Sequence, residues 1–224
     1  HQVNLERLAR ESATAIDPDV SAAILVADHA TGEVLAHVGS ADFLSARRAG
    51  HVDMVAAVRS PGSALKPFVY GLAFELGLAR PGTLLVDAPT RFGGYEPENF
   101  DDVFHGEVTA TEALRRSLNV PAVALLDAVG PTRLAVRLAG AGADLVLPET
   151  EAPSIAVGLG GLGARLADLV LLYGGLANDG TARPLRHRRA DGSGSARRDA
   201  GRRAGGRTLV EREAARAEIG RAHV

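Results

Sequence analysis

Apolar residues recur at helical spacing in the first stretch of the chain, VNLERLARESATAI, where Val3, Leu5, Leu8, Ala9, Ala13 and Ile16 share one face. The spacing predicts an amphipathic helix over residues 3–16. The pattern then changes. Two β-rich runs, 21–28 and 33–38, flank the turn His29-Ala30-Thr31-Gly32 and predict an antiparallel hairpin. From Ser60 onward the period is helical again. SALKPFVYGLAFELG reads as a helix closed by Gly77. TATEALRRSLNVPAVALLDAVG reads as a short helix, a break near Pro121, and a second helix ending at Gly130. Thr109 followed by Glu112 has the spacing of a capping box. PTRLAVRLAGAG and LADLVLLYGGLANDG predict two more helices. Strands first and a helical block after them predict an α+β fold with a helical subdomain.

The pattern fails near Arg183. The segment RRADGSGSARRDAGRRAGGR carries charge and glycine but no apolar period, so residues 186–207 are expected to lack packed structure. TLVEREAARAE could start another helix, and the closing IGRAHV resembles the translation of a common sequencing adapter, so the natural protein is expected to continue. The division predicted is a partial catalytic domain over 1–184 and an Arg/Gly-rich tail over 185–224.

Composition narrows the function. The formal net charge is −2, and no basic patch with interleaved aromatics occurs, which argues against nucleic acid as a partner. There is no cysteine, so disulfides and thiolate metal sites are excluded. No apolar run reaches the length of a membrane span. His29, His37, His51 and His105 show no metal-ligand spacing and read as turn or surface residues. No metal and no cofactor is expected. Gly158–Gly163 matches G-x-G-x-x-G, but no βαβ unit surrounds it, so it reads as packing and turns.

One residue stands apart. Of 25 lysines and arginines, only Lys66 is lysine. Arginine replaces lysine wherever a positive charge suffices, but it cannot give up its proton at working pH. Lysine can, once burial lowers its pKa. Ser63 lies three residues before it, on the same face of a helix. Serine is a weak nucleophile that needs a base within reach. S-x-x-K alone is a weak signal, since a serine at that offset arises by chance at about one in twenty; a surface cation is the plain alternative. A second element follows some fifty residues later, Ser117-Leu118-Asn119, an S-x-N. By itself it could merely cap the break before Pro121. Both motifs in this order favour a serine acyl-transfer site.

With those motifs on the page, the stretch GHVDMVAAVRSPGSALKPFVYGLAFELG…RRSLNVPAVALLDAVGP resembles the transpeptidase domain of bifunctional class A penicillin-binding proteins. The resemblance runs from about Val20 to Pro184. It implies the penicillin-binding transpeptidase fold and D,D-transpeptidation of peptidoglycan stem peptides, with acylation by β-lactams. It implies Ser63 as acyl-enzyme nucleophile, Lys66 as its base, and Ser117 and Asn119 as the second motif. Tyr95 and Asn99, in YEPENF, are implied as substrate contacts bordering the groove. It implies a parent protein with a glycosyltransferase domain and a membrane anchor, working at the periplasmic face of the inner membrane. The family's third motif, K-T-G, is absent from this chain, whose single lysine is Lys66. The fragment alone is therefore expected to be inactive. A penicillin-sensing or scaffold domain of the same fold, and a serine β-lactamase, are the competing functions.

Overall fold

The computed structural model describes residues 2–148, 153–187 and 205–219. Helix α1 (Gln2–Ile16) buries Ala9 and Ala13 and lies against the hairpin of β1 (Ile24–Ala27) and β2 (Glu33–Val38). The Gln2 carboxamide holds it there, donating to the His37 carbonyl at 2.8 Å and accepting from the His37 N–H at 3.0 Å. The hairpin pairs antiparallel from Ile24↔Val38 to Ala27↔Val34, with a bulge between Val26 and Ala27. Its turn is closed by the Asp28 carboxylate, which accepts from the Thr31 N–H and hydroxyl.

The centre of the molecule is helix α2 (Lys66–Glu75), entered through a 3-10 turn, Gly62–Leu65. Lys66, Phe68, Val69, Tyr70, Gly71, Leu72 and Ala73 are all buried, so α2 is enclosed on every side. Around it pack α3 (Ala110–Arg115), α4 (Asn119–Val129) and α5 (Pro131–Ala141). Thr109 caps α3 by accepting from the Glu112 N–H at 3.2 Å. The break between α3 and α4 lies at Ser117-Leu118, not at Pro121, which fits inside the first turn of α4. Two strands with no clear sequence signal, β3 (Leu84–Asp87) and β4 (Gly106–Thr109), pair antiparallel and lead into α3.

Helix α6 (Leu166–Ala177) follows, its start fixed by Asp168, whose carboxylate accepts from the N–H groups of Arg165 and Asp144, both at 2.9 Å. Beyond it, β5 (Thr181–Ala182) pairs with β7 (Arg207–Thr208), and β6 (Arg186–His187) joins the hairpin parallel to β2. The last element is α7 (Arg212–Ile219).

Residues 205–219, within the stretch expected to be a tail, contribute side chains to the core. Leu209, Val210, Ala214 and Ala215 are buried in the same core as α2. Arg137 of α5 forms a two-pronged bond to Glu75 of α2 at 2.7 and 2.8 Å and also donates to the Leu209 carbonyl; the Glu75 carboxylate accepts from the Glu211 N–H as well. Periodicity over 207–219 was too short, beside so much charge, to announce this face. Most of the stretch expected to be unpacked, and the closing GRAHV, lie outside the described residues.

The glycines of 158–163 have the packing role the sequence suggested. Gly160 holds φ at +95°, and a Cβ there would stand 2.4 Å from the Gly62 nitrogen and 2.5 Å from its Cα. A Cβ on Gly158 would meet Leu126 at 2.6 Å, and one on Gly163 would meet Val58 at 2.5 Å. The segment is pressed against the turn that carries Ser63.

Candidate active site

Ser63 lies within the 3-10 turn, and its carbonyl accepts the Lys66 N–H as α2 begins. The two side chains are thus one turn apart, as S-x-x-K requires, although the serine sits on the tighter turn before the α-helix proper. The turn is anchored from behind. The Ser60 hydroxyl donates to the Gly160 carbonyl at 2.7 Å, and the Tyr173 hydroxyl of α6 donates to the Ala64 carbonyl at 2.9 Å. The Arg59 backbone pairs with Ala164 in both directions.

Lys66 is 1% exposed. Its ammonium donates to the Ser117 hydroxyl at 3.1 Å, to Asn119 Oδ1 at 2.6 Å, and to the Ser117 carbonyl. All three acceptors are neutral, so nothing repays the loss of water with an opposite charge. Burial accordingly pushes the Lys66 pKa down from 10.5 to about 8. Ser117 has φ +56°, in the left-handed region that a serine rarely adopts. The kink halts α3 and brings both the hydroxyl and the carbonyl of Ser117 to the ammonium.

Ser63, Lys66 and Ser117 line one pocket of about 410 Å³, with Tyr173, Thr111 and Arg115 on its walls. Asn119 braces Lys66 from behind that wall. The structure therefore gathers the four motif residues. It does not gather the two residues expected from YEPENF. Tyr95 lies on a separate turn, its backbone paired with Phe92, and does not line the pocket. Asn99 is 4% exposed, and its carboxamide is fully engaged inside the protein. Its Nδ2 donates to both Asp87 oxygens and to the Val103 carbonyl, each at 2.9 Å, and its Oδ1 accepts from the Asn119 N–H at 2.7 Å.

Sequence reasoning missed the partner behind it. Asp87, at the end of β3, is completely buried and also accepts from the His105 N–H at 2.9 Å and lies 3.0 Å from His105 Nδ1. His105 Nε2 in turn meets the Arg116 guanidinium. His105 is thus no surface residue, and His37 also has a partner, Asp53, at 3.0 Å. Only the pairing of β3 with β4, across an 18-residue excursion, brings Asp87 and His105 together. Among the described residues no group of three His, Cys, Asp or Glu side chains could hold a metal, and no helix is long and apolar enough to cross a membrane.

Comparison with known proteins gives a consistent result. Residues 22–188 match the family model for the penicillin binding protein transpeptidase domain. Penicillin-binding protein 1C of Escherichia coli is 49% identical over 185 residues, covering 83% of this chain and 24% of that protein. Penicillin-binding protein 1F of Bacillus subtilis is 35% identical over 156 residues, covering 69% of this chain and 21% of that one. The chain thus spans about a quarter of the length of these relatives. Among solved structures, the penicillin-binding protein PonA1 of Mycobacterium tuberculosis superposes with a TM-score of 0.77 at 22% identity, covering 96% of this chain and 59% of that chain. PonA1 in complex with penicillin V superposes with a TM-score of 0.68 at 25% identity, covering 81% of this chain and 51% of that one.

Proposed function

This chain belongs to the penicillin-binding protein transpeptidase family, and on that premise we propose that it is the acyl-transfer part of a serine-type D,D-transpeptidase of cell wall synthesis. The observation that carries the reading is Lys66: the sole lysine, buried, depressed in proton affinity, and tied to the Ser117-x-Asn119 motif on a pocket that Ser63 also lines. With a pKa of about 8, roughly a tenth of the molecules hold Lys66 neutral at pH 7, enough to act as a base.

In this mechanism the Ser63 hydroxyl attacks a stem-peptide carbonyl and its proton passes to Lys66. The tetrahedral intermediate collapses, the C–N bond breaks, and the Ser117 hydroxyl relays a proton from Lys66 to the departing amine. The ester on Ser63 is then attacked by the amine of a second stem peptide, which regenerates the serine. A β-lactam enters the same first step and stays attached. No cofactor takes part. The parent protein is expected to carry a glycosyltransferase domain and a membrane anchor and to act at the periplasmic face of the inner membrane.

The test uses the full-length protein with labelled penicillin. Mass spectrometry should find one lasting adduct on a peptide containing Ser63. Ser63→Ala should abolish it, and Lys66→Arg should slow its formation by about 10²- to 10⁴-fold. Acylation of Lys66→Arg at the parental rate would refute the base assignment. Rapid release of hydrolysed drug would instead favour a β-lactamase.

A further inference from the structure

We propose that Asn99 is a positioning residue for Lys66: braced by Asp87, it grips Asn119 so that the Asn119 Oδ1 is presented to the lysine. A carboxylate only accepts hydrogen bonds. Asp87, buried and facing Asn99, therefore dictates that the Asn99 amide turns its NH₂ inward, at 2.9 Å from both carboxylate oxygens. The Asn99 Oδ1 is thereby left pointing at the Asn119 N–H, 2.7 Å away. That N–H is the first of α4, whose preceding residue, Leu118, offers no side-chain cap. Asn99 supplies the missing cap from another part of the chain.

The neighbouring residue completes the grip. The Glu98 carbonyl accepts from Asn119 Nδ2 at 2.6 Å. With its NH₂ committed there, Asn119 turns Oδ1 to Lys66 Nζ at 2.6 Å. The buried carboxylate fixes the Asn99 amide, that amide holds the backbone of Asn119 at the start of α4, and the adjoining Glu98 carbonyl decides which end of the Asn119 amide meets the ammonium. The charged and titratable groups around this relay are Asp87, His105 and Arg116 behind Asn99, and Arg115 with Glu112 beside the pocket. Among the described residues, the groups that hydrogen-bond the Lys66 ammonium are the neutral acceptors of Ser117 and Asn119.

Because Lys66 is the single lysine, a chain grown with ¹³C- or ¹⁵N-labelled lysine carries one side-chain reporter of its protonation. That titration needs no catalysis, so it is separable from the acyl-transfer reading on which the name of the site rests. In Asn99→Ala, Asn119 loses its orientation and the ammonium loses a good acceptor while remaining buried. The Lys66 midpoint should move further down, by about one pH unit. A merely structural role gives the opposite sign, since a loosened site admits water and the midpoint climbs toward the ordinary lysine value. Adding Asn99→Ala to Asn119→Ala should produce no further displacement, because the first acts through the second. Asp87→Asn, nearly identical in size, is the second variant should Asn99→Ala not fold; it removes the carboxylate that sorts the amides and should move the midpoint down by less. An upward or unchanged midpoint in the folded variants, or additive effects in the double variant, overturns the proposal. If the midpoint falls as expected but full-length protein forms no penicillin adduct, the relay stands and the acyl-transfer reading fails.

Discussion

Burying a lysine without a counter-charge carries a stability signature that can be read without any substrate. Lys66 falls from 10.5 to about 8 on folding. A group whose proton affinity is lower in the folded state binds more protons when unfolded, so stability rises with pH across the interval between the two values. Below about pH 8 the ammonium is charged in both states, and its burial costs stability in full. Between about 8 and 10.5 the cost is progressively lifted. At about 1.4 kcal/mol for each pH unit, the rise amounts to roughly 3 kcal/mol. The composition makes this window clean, because there is no other lysine and no cysteine. Lys66→Met removes the charge and keeps the length, so subtracting its profile cancels every group the two proteins share. Urea unfolding at pH steps from 7 to 10.5 should show the parent gaining on Lys66→Met by about 3 kcal/mol, with most of the gain above pH 8. A flat difference would mean that Lys66 has an ordinary affinity in the folded protein and that its burial is compensated, and one that falls with pH that its affinity is raised. The argument for it as a base near neutrality would then lose its physical cause.

Two further perturbations test the supports of the site. Gly160→Ala would place a methyl 2.4 Å from the Gly62 nitrogen at φ +95°; the expected outcome is about 1–2 kcal/mol lost to backbone strain, a displaced Ser63 turn, and, in the full-length protein, penicillin acylation slowed by about 10²-fold, whereas near-parental kinetics would show that Gly160 does not hold the turn. Arg137→Met leaves Glu75 with the Glu211 N–H alone; because Glu75 is mostly buried, the expected loss is about 2–3 kcal/mol, with faster amide exchange at Leu209 and Val210, and unchanged exchange there would mean that apolar contact alone fastens this segment. Burial raises the Glu75 carboxyl, but the bonds from Arg137 and Glu211 outweigh it and hold it below 4.5, so the stability it lends is present above that value and should fade as pH drops through the folded one.

Much of this molecule was legible because its signals are local. The helices of 60–141 follow from apolar spacing, and the hairpin at 24–38 follows from two β-rich runs around one turn. S-x-x-K is readable because three residues make one helical turn. The identity of Lys66 as the exceptional cation came from counting. What escaped was set by contacts far apart in sequence. Four-residue strands such as LLVD and GEVT have no period to detect, and they form because each is the other's partner. The same pairing buries Asp87 and makes His105 its half-buried bond partner. Leu209 and Val210 read as part of a charged tail until α2 and α5 are seen to cover them.

The reassignment of Asn99 shows where such limits matter for function. In sequence, an asparagine in a glycine- and proline-rich loop is a polar group on a groove. In three dimensions both donors of its amide are spent on Asp87 and Val103, and its oxygen already accepts the Asn119 N–H. Pre-organisation of this kind is what a base needs. The position of Lys66 depends on Ser117 and Asn119, theirs on a left-handed residue and on Asn99, and that of Asn99 on a carboxylate 12 residues away in sequence. Each member is held by the one behind it, and only Lys66, Ser117 and Asn119 are spelled in motifs. A transplant of S-x-x-K and S-x-N onto another helical scaffold would therefore carry the letters without the acceptors that aim them. The buried lysine would find other partners, and neither its proton affinity nor its distance to the serine would be set.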